Sequence, residues 1–329
     1  QQGWQGFDNA GLYVPQLLFE WQHGRCVLSF NCFRDQNATP EKVLSHWLEH
    51  LQLVLDSGEP MSESAAPFCS TELPPAAVWQ KSVAEAVAAM ERGGLEKVVL
   101  TRQQQLHSHA PIPHRYMLST LAGRYPGCTL LSVSFGEGVL LAATPEKLFE
   151  MSAESIHCDA LAGTFPAYVD QPDVRMELYE HAPVVQAIEE ALRPLCNDVR
   201  IEKSANPLSL QSLSHLYTSL HATPRTGLRP LQVAAALHPT PAVGGMPQAE
   251  ALAWIRQHEN QDRGWYTGAF GWLGDNQQAQ LSVILRCALV HGKSARLYAG
   301  AGITPVSNPE QELQETCLKL EPMLDALSA

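Results

Sequence analysis

Tyr298-Ala-Gly-Ala-Gly-Ile-Thr-Pro-Val-Ser-Asn-Pro-Glu-Gln-Glu-Leu-Gln-Glu-Thr-Cys-Leu-Lys319 runs as a strand, a glycine-bearing turn and a helix. Residues 296–299 have strand character. Gly300 and Gly302 allow positive φ or a close approach of the backbone to another group. Ser307 or Asn308 suits the helix N-cap, and Pro309 suits the first turn. On the helix, Glu312, Glu315 and Lys319 are spaced three and four apart and share one face. Two carboxylates beside turn amides suit a hard cation held together with an anionic ligand. Magnesium takes one or two carboxylates, waters and the ligand's own oxygens. Glu315 and Lys319 also read as an ordinary i,i+4 surface pair, the commoner case for such spacing.

Outward from this stretch, strands come in pairs with helices between them. Lys97-Val-Val-Leu-Thr-Arg is a β-branched strand. The spacing predicts strands at 129–135, 139–143, 148–151, 280–290 and 295–299, and helices at 41–56, 76–92, 115–124, 173–195 and 247–258. Gly93-Gly94 stops the second helix. Leu161-Ala-Gly-Thr reads as a small-residue turn, and Leu213-Ser-His-Leu-Tyr falls in a loop-rich region. His238-Pro-Thr-Pro-Ala-Val-Gly-Gly cannot be a helix interior. Residues 57–75, rich in Ser, Pro, Glu and Gly, are the linker candidate. Residues 1–35 carry short β runs around His23-Gly24. Short turns between paired strands predict antiparallel hairpins, hence an α+β fold. No G-x-G-x-x-G joins a strand to a helix, and no P-loop is present.

The chain has 329 residues, 45% hydrophobic and 17% charged, with net charge −12. That composition is globular, and the charge disfavours a nucleic-acid backbone as partner. No apolar run nears the roughly 20 residues that span a bilayer, so no membrane partner is expected. Cys26, Cys32, Cys69, Cys128, Cys158, Cys196, Cys287 and Cys317 form no C-x-x-C pair, which fits reduced thiols in the cytoplasm. The chain begins with Gln, which suggests a processed or truncated N-terminus.

Each chemical candidate has two readings. Lys97 either snorkels at a strand end or is a buried base. Glu146 follows Pro145 in a turn between strands and is a solvated turn residue or an acid. Glu180 is a third metal carboxylate or a surface charge. His215 and His238 sit in apolar or proline-rich contexts, where structural histidines are the commoner case. Arg286, inside Val-Ile-Leu-Arg-Cys-Ala, needs an anion, because an unpaired buried charge is too costly.

In order along the chain, these pieces resemble the chorismate-utilising enzymes, and within them the isochorismate synthases of the menaquinone type. The matching motifs are Lys97-Val-Val-Leu-Thr-Arg, Thr-Pro-Glu146-Lys-Leu-Phe, Leu-Ala162-Gly-Thr, Glu180-His-x-x-Val-Val, His238-Pro-Thr-Pro-Ala242, Trp-Tyr266-Thr-Gly-Ala-Phe-Gly, Ile-Leu-Arg286-Cys-Ala, and Ala-Gly300-Ala-Gly302-Ile through Glu312, Glu315 and Lys319. The resemblance spans about residues 76–325. Residues 1–75 would be a β-rich N-terminal part of the same domain, and 76–329 the catalytic region. The quinone branch rests on Phe7-Asp-Asn-Ala-Gly-Leu and Leu17-Leu-Phe-Glu-Trp.

The resemblance implies a four-layer α/β/β/α fold, like that of anthranilate synthase, with two antiparallel sheets packed between helices. It implies a magnesium-dependent isomerase: water is added at C2 of chorismate and the C4 hydroxyl is lost. It makes Lys97 the base and Glu146 the general acid. Glu180, Glu312 and Glu315 would hold magnesium. His215, His238, Tyr266, Arg286, Gly300, Gly302 and Lys319 would hold the substrate. Ala162 stands where an amine-transferring relative carries a nucleophilic lysine. Lys97 stands where anthranilate synthases carry glutamine, and Ala242 where lyase-active relatives carry threonine. The alternatives are a salicylate synthase, a siderophore-pathway isochorismate synthase and, more distantly, a non-catalytic chorismate-binding subunit. A monomer or weak homodimer is expected. Residues 165–175 are shorter and less charged than in many relatives, which bears on an entry loop. Lys97→Ala is expected to spare the fold.

Overall fold

Alternating apolar and polar residues mark many of the strands of this chain, which turn one face toward helices. The computed structural model describes all residues except 1–3, 5–6, 23, 33–38, 57–66, 167–174, 203–204, 211–212 and 329. Part of the linker candidate and of the expected entry loop therefore lies outside the described residues. The chain divides into two compact units, residues 8–62 and residues 1–7 with 63–329.

The smaller unit is an antiparallel hairpin, β1 (Leu17–Gln22) with β2 (Arg25–Phe30), followed by helix α1 (Pro40–Asp56). Phe30 meets Trp47 of α1 at 5.3 Å between ring centroids.

The larger unit runs β3 (Phe68–Leu73), α2 (Ala76–Glu91), β4 (Lys97–Ser108), α3 (His114–Arg124), β5 (Thr129–Phe135), β6 (Gly138–Thr144), β7 (Lys147–Met151), β8 (Ile156–Pro166) and α4 (Arg175–Leu192). It continues with β9 (Cys196–Ile201), β10 (Asn206–Leu210), β11 (Leu213–Pro224), α5 (Pro230–Leu237), β12 (Gly245–Met246) and α6 (Gln248–His258). Last come β13 (Ala269–Leu273), β14 (Ala279–Val283), β15 (Cys287–His291), β16 (Ser294–Ile303) and α7 (Pro309–Ser328). Two seven-stranded antiparallel sheets result. One has the order β12-β4-β16-β15-β6-β5, with β3 also on β4. The other has the order β10-β11-β8-β7-β14-β13, with β9 also on β11.

Helices α4 and α5 cover one face of the second sheet, where Ile156, Cys158, Ala160 and Leu220 meet Val184, Ile188, Leu192 and Val233. On the first sheet, Val98, Leu100, Ala301 and Ile303 pack with Trp79, Val83 and Ala251 of α2 and α6. Leu106, Leu141, Leu297 and Ala299 pack with Met117, Leu121, Leu320 and Met323 of α3 and α7. On the opposite face of the first sheet, Leu131, Leu140, Leu289 and Tyr298 pack with Tyr266, Ile284 and Phe270 of β13. This is the expected α+β architecture of two sheets between helices. Among the described residues, no helix is long and apolar enough to cross a membrane.

Five local expectations change. Residues 68–73 form an edge strand on β4 rather than a linker. Leu161-Ala-Gly-Thr lies inside β8, and Leu213-Ser-His-Leu-Tyr opens the twelve-residue strand β11. The expected 280–290 strand is two strands, broken at Ile284–Arg286, where Arg286 takes φ 47°. Gly300 and Gly302 sit within β16, and the turn comes after Ile303. Asn308 then caps α7, its Oδ1 accepting from Glu310 N at 3.0 Å and Gln311 N at 3.2 Å.

Candidate active site

A cleft of about 670 Å³, open mouth included, lies among residues of both sheets, α4 and α7. Its wall includes Glu146, Ala162, Glu180, His215, Ala242, Tyr266, Arg286, Gly300, Gly302 and Lys319. Nine of the twelve site residues expected from the sequence are thus in or against it, if Lys97 is counted with the eight in the wall. Lys97 touches the wall without being part of it. Its Nζ donates to Glu180 Oε1 at 2.8 Å, and a Cβ placed on Gly302 would lie 2.7 Å from Lys97 Cε. Glu312 and Glu315 lie on α7, upstream of Lys319. His238 ends α5 away from the wall, and its buried Nδ1 has no hydrogen-bond partner among the described residues.

Lys97 is 4% exposed, so it does not snorkel. It opens β4, with its backbone paired to Met246, and its ammonium is matched by Glu180 from α4. Glu180 also accepts from the Gly163 amide, and Lys97 and Lys319 hold its carboxyl below the ordinary range against the opposing effect of burial. Truncating Lys97 would therefore leave a carboxylate without its partner, contrary to the expectation of a harmless change.

The glycines of β16 serve close approach rather than turning. Neither has positive φ. A Cβ on Gly302 would meet Glu180 Oε1 at 2.5 Å, and one on Gly300 would meet the Tyr266 hydroxyl at 2.8 Å. Lys319 Nζ donates to the Gly300 carbonyl at 2.9 Å and pairs with Glu315. Lys319 is thereby held against the strand.

Glu146 sits between β6 and β7 and is 6% exposed. Its backbone is fixed at both ends: its N–H donates to Thr144 Oγ1 at 3.2 Å, and its carbonyl accepts from Val283 N at 3.0 Å. Burial pushes its carboxyl up to about 7, while Lys97 and Lys319 pull it back. It can carry a proton near neutral pH and give it up, as a general acid must.

Arg286 is the cation that the sequence left without an anion. Its Nη2 lies 3.2 Å from His215 Nε2. A guanidinium only donates, so Nε2 accepts, and Nδ1 carries the ring proton toward Thr164 Oγ1 at 3.1 Å. Burial, then Arg286 and Lys319, hold His215 well below its ordinary value, so it is neutral. Arg286 and Thr267 line the cleft at positive φ, a backbone state that non-glycine residues adopt at a cost of about 1 kcal/mol or more. Arg286 and Lys319 give the lining of the cleft two cations.

For a cation, the donors are hard carboxylates. Burial pushes Glu312 up to about 8, with Glu315 and then Glu180 adding to the rise. The three carboxylates therefore feel one another, and a divalent ion would relieve that repulsion. Among the described residues, no three His, Cys, Asp or Glu side chains stand ready as a metal cage. Glu180 and Glu315 are each engaged by a lysine.

Two contributors are not apparent from sequence. Tyr298 stacks on Tyr266 at 5.5 Å and accepts a hydrogen bond from Trp4 Nε1 at 3.0 Å. His181 ties α4 to the sheet through Thr218 Oγ1 at 2.8 Å and the Ala162 carbonyl at 3.2 Å. His181 directly follows Glu180, and that adjacency was its one signal.

The model of the family described as chorismate binding enzyme matches residues 1–328. The chain belongs to the chorismate-binding enzymes. Among its relatives in that family, the salicylate biosynthesis isochorismate synthase of Pseudomonas aeruginosa is 36% identical over 76% of this chain and 55% of its own length. The isochorismate synthase MenF of Bacillus subtilis is 29% identical over 98% of this chain and 71% of its own. The solved structure of the menaquinone-specific isochorismate synthase MenF of Escherichia coli superposes with a TM-score of 0.81 at 25% identity, covering 95% of this chain and 74% of that one. The chain thus spans about half to three quarters of the length of these chorismate-binding relatives.

Proposed function

We propose that this chain is an isochorismate synthase, adding water at C2 of chorismate as the C4 hydroxyl departs. The observation that carries this reading is a buried lysine and a buried glutamate, its carboxyl pushed up to about 7, at one cleft that Arg286 and Lys319 also line. Lys97 takes the proton of the attacking water. Glu146 gives its proton to the leaving hydroxyl, which departs as water. One water enters and one leaves, so the net change is an isomerisation. Lys97 is hydrogen-bonded to Glu180, and its nitrogen can accept a proton only once it has released one.

Arg286, Lys319, Tyr266 and the amides near Gly300 and Gly302 hold the substrate's carboxylates. His215 stays neutral and steadies Arg286. His238 is kept as a substrate-pocket residue of this reading through its motif alone. Glu180 and Glu312, with Glu315 beside them, would hold magnesium, which when bound neutralises and orients the ring carboxylate. Ala162 and Ala242, both in the wall, offer no amine to attack the ring and no hydroxyl where lyase-active relatives carry threonine.

We place the activity in quinone synthesis in the cytoplasm. Alignment with a MenF over nearly the whole chain supports that branch. The salicylate-pathway relative, at higher identity, favours the second reading: the same product sent to an aryl acid. The test is incubation with chorismate, with and without Mg²⁺, and chromatography of the products. Magnesium-dependent isochorismate alone supports the proposal. Salicylate with pyruvate moves the chain to the lyase-active relatives, and no turnover sinks the activity.

A further inference from the structure

We propose that Glu259 and Arg263 are positioning residues that seat the base-bearing strand against the cleft, an inference that rests on the isochorismate synthase reading. Neither residue lies in the cleft wall. Their role follows from a gap in the first sheet.

The edge of β4 opposite β16 is covered in pieces. At its start, Lys97 and Val98 pair with β12, Glu96 N donates to the Met246 carbonyl, and Val99 N donates to the Gly244 carbonyl at 3.0 Å. Further on, β3 pairs only from Gln103. Between them, the Val99 carbonyl and the Thr101 amide have no strand beside them. A side-chain pair fills the gap. Arg263 Nη2 donates to the Val99 carbonyl at 2.7 Å, and Glu259 Oε1 accepts from Thr101 N at 2.7 Å. The two side chains are themselves joined by a two-pronged ion pair at 2.6 and 2.7 Å, and both are largely buried. In effect, a guanidinium and a carboxylate replace the missing residues of a strand.

Arg263 also reaches across the site. Its Nη1 donates to the Val243 carbonyl at 3.1 Å. Val99 and Val243 are both cleft-wall residues, on separate segments. One planar fork thus fixes the spacing of two walls. Val99 lies two residues beyond Lys97, so their side chains share a face of β4. Moving the Val99 backbone moves Lys97. Gly300 and Gly302 of β16 pair with Thr101 and Val99 in the ladder, but the two cations proposed to hold the substrate's carboxylates, Arg286 and Lys319, come from the break between β14 and β15 and from α7. Loss of the fork should therefore disturb the reaction step more than substrate binding.

The test is kinetic. In Arg263→Ala, kcat for chorismate should fall by about 100-fold, the scale of a misplacement near 1 Å, with KM changed by at most about threefold. Guanidinium ion, added below denaturing concentration, should restore part of the lost kcat. Arg263→Lys should lose nearly as much, because a single ammonium cannot bridge both carbonyls and the carboxylate. Glu259→Gln keeps an acceptor for Thr101 but turns an amide N–H toward Arg263, and should lose part of the turnover, less than Arg263→Ala. Wild-type kcat in a folded Arg263→Ala, with only a lower Tm, overturns the proposal. If that variant does not fold, wild-type kcat in Arg263→Lys overturns it equally. If the wild-type protein itself does not convert chorismate, the activity reading fails, and amide exchange decides the clamp. Thr101 should exchange faster in Glu259→Ala, and unchanged protection there refutes the clamp independently.

Discussion

Replacing Lys97 by alanine separates the chemistry of this site from its packing. The lysine side chain is 5% exposed, its partner Glu180 is 23% exposed, and the contact between them is 2.8 Å. The substitution removes a counter-ion and leaves a carboxylate in a mostly dry wall. Breaking a buried pair in this way costs about 3–5 kcal/mol, and the partial hydration of Glu180 puts this case near 3 kcal/mol. At roughly 2 °C per kcal/mol for a chain of this size, Tm should fall by about 6 °C. Turnover should fall far more steeply, because a positioned base contributes about 10²–10⁴-fold. Lys97→Ala/Glu180→Gln should recover most of the lost stability, since the stranded charge is gone, but none of the activity. Melting followed by circular dichroism in chelator-containing buffer, with product chromatography for kcat, reads both effects. Wild-type turnover in the single variant would refute the base assignment. A double variant no more stable than the single one would refute the stranded-charge account.

Glu146→Gln should abolish turnover yet stabilise the protein at high pH. The raised carboxyl, about 7 against an ordinary 4.5, means the folded state holds that proton more tightly than the unfolded one. Wild-type stability therefore falls as pH rises from about 4.5 to about 7 and stays reduced above it. The Tm difference should swing toward the glutamine variant between pH 5 and pH 8, and wild-type kcat should decline as pH rises through about 7. Glu312→Gln should raise the magnesium concentration for half-maximal activity by about 10-fold or more, and an unchanged titration would count against its metal role. Gly302→Ala should cut kcat by about 100-fold, because its new methyl would stand 2.5 Å from Glu180 Oε1 and 2.7 Å from Lys97 Cε. Full activity in that variant would show that the glycine is not needed for close approach.

Sequence made the paired strands of this fold legible because their alternation was clean. Residues 129–135 were expected as a strand and are one. It failed where a buried strand carries polar residues on both of its faces. Ser214, His215 and Thr218 made β11 look like a loop, yet all three are buried. Gly300 and Gly302 suggested a turn, since nothing local distinguishes a glycine that bends the chain from one that makes room for Lys97 and Glu180. The 68–73 strand was hidden because an exposed edge strand needs no apolar alternation. Lys97 was ambiguous because its counter-ion lies 83 residues away on another element. The motif order brought most site residues to one cleft. The Glu259–Arg263 clamp gave no sign, because its work is done on backbone groups that carry no sequence signature.

The piecewise edge of β4 also bears on how the molecule comes together. The strand that carries Lys97 borrows its neighbours from residues 68–73, 245–246, 259–263 and 294–303. Gly302 lies opposite Val99 in the ladder, more than two hundred residues further along the chain. Such pairings carry a large loop-closure entropy and form late. On the ribosome, the first sheet cannot close around Lys97 until β16 has emerged. A nascent fragment ending before β16 would hold Lys97 and Glu146 but no completed cleft, so the cleft should form in one step with β16 and α7.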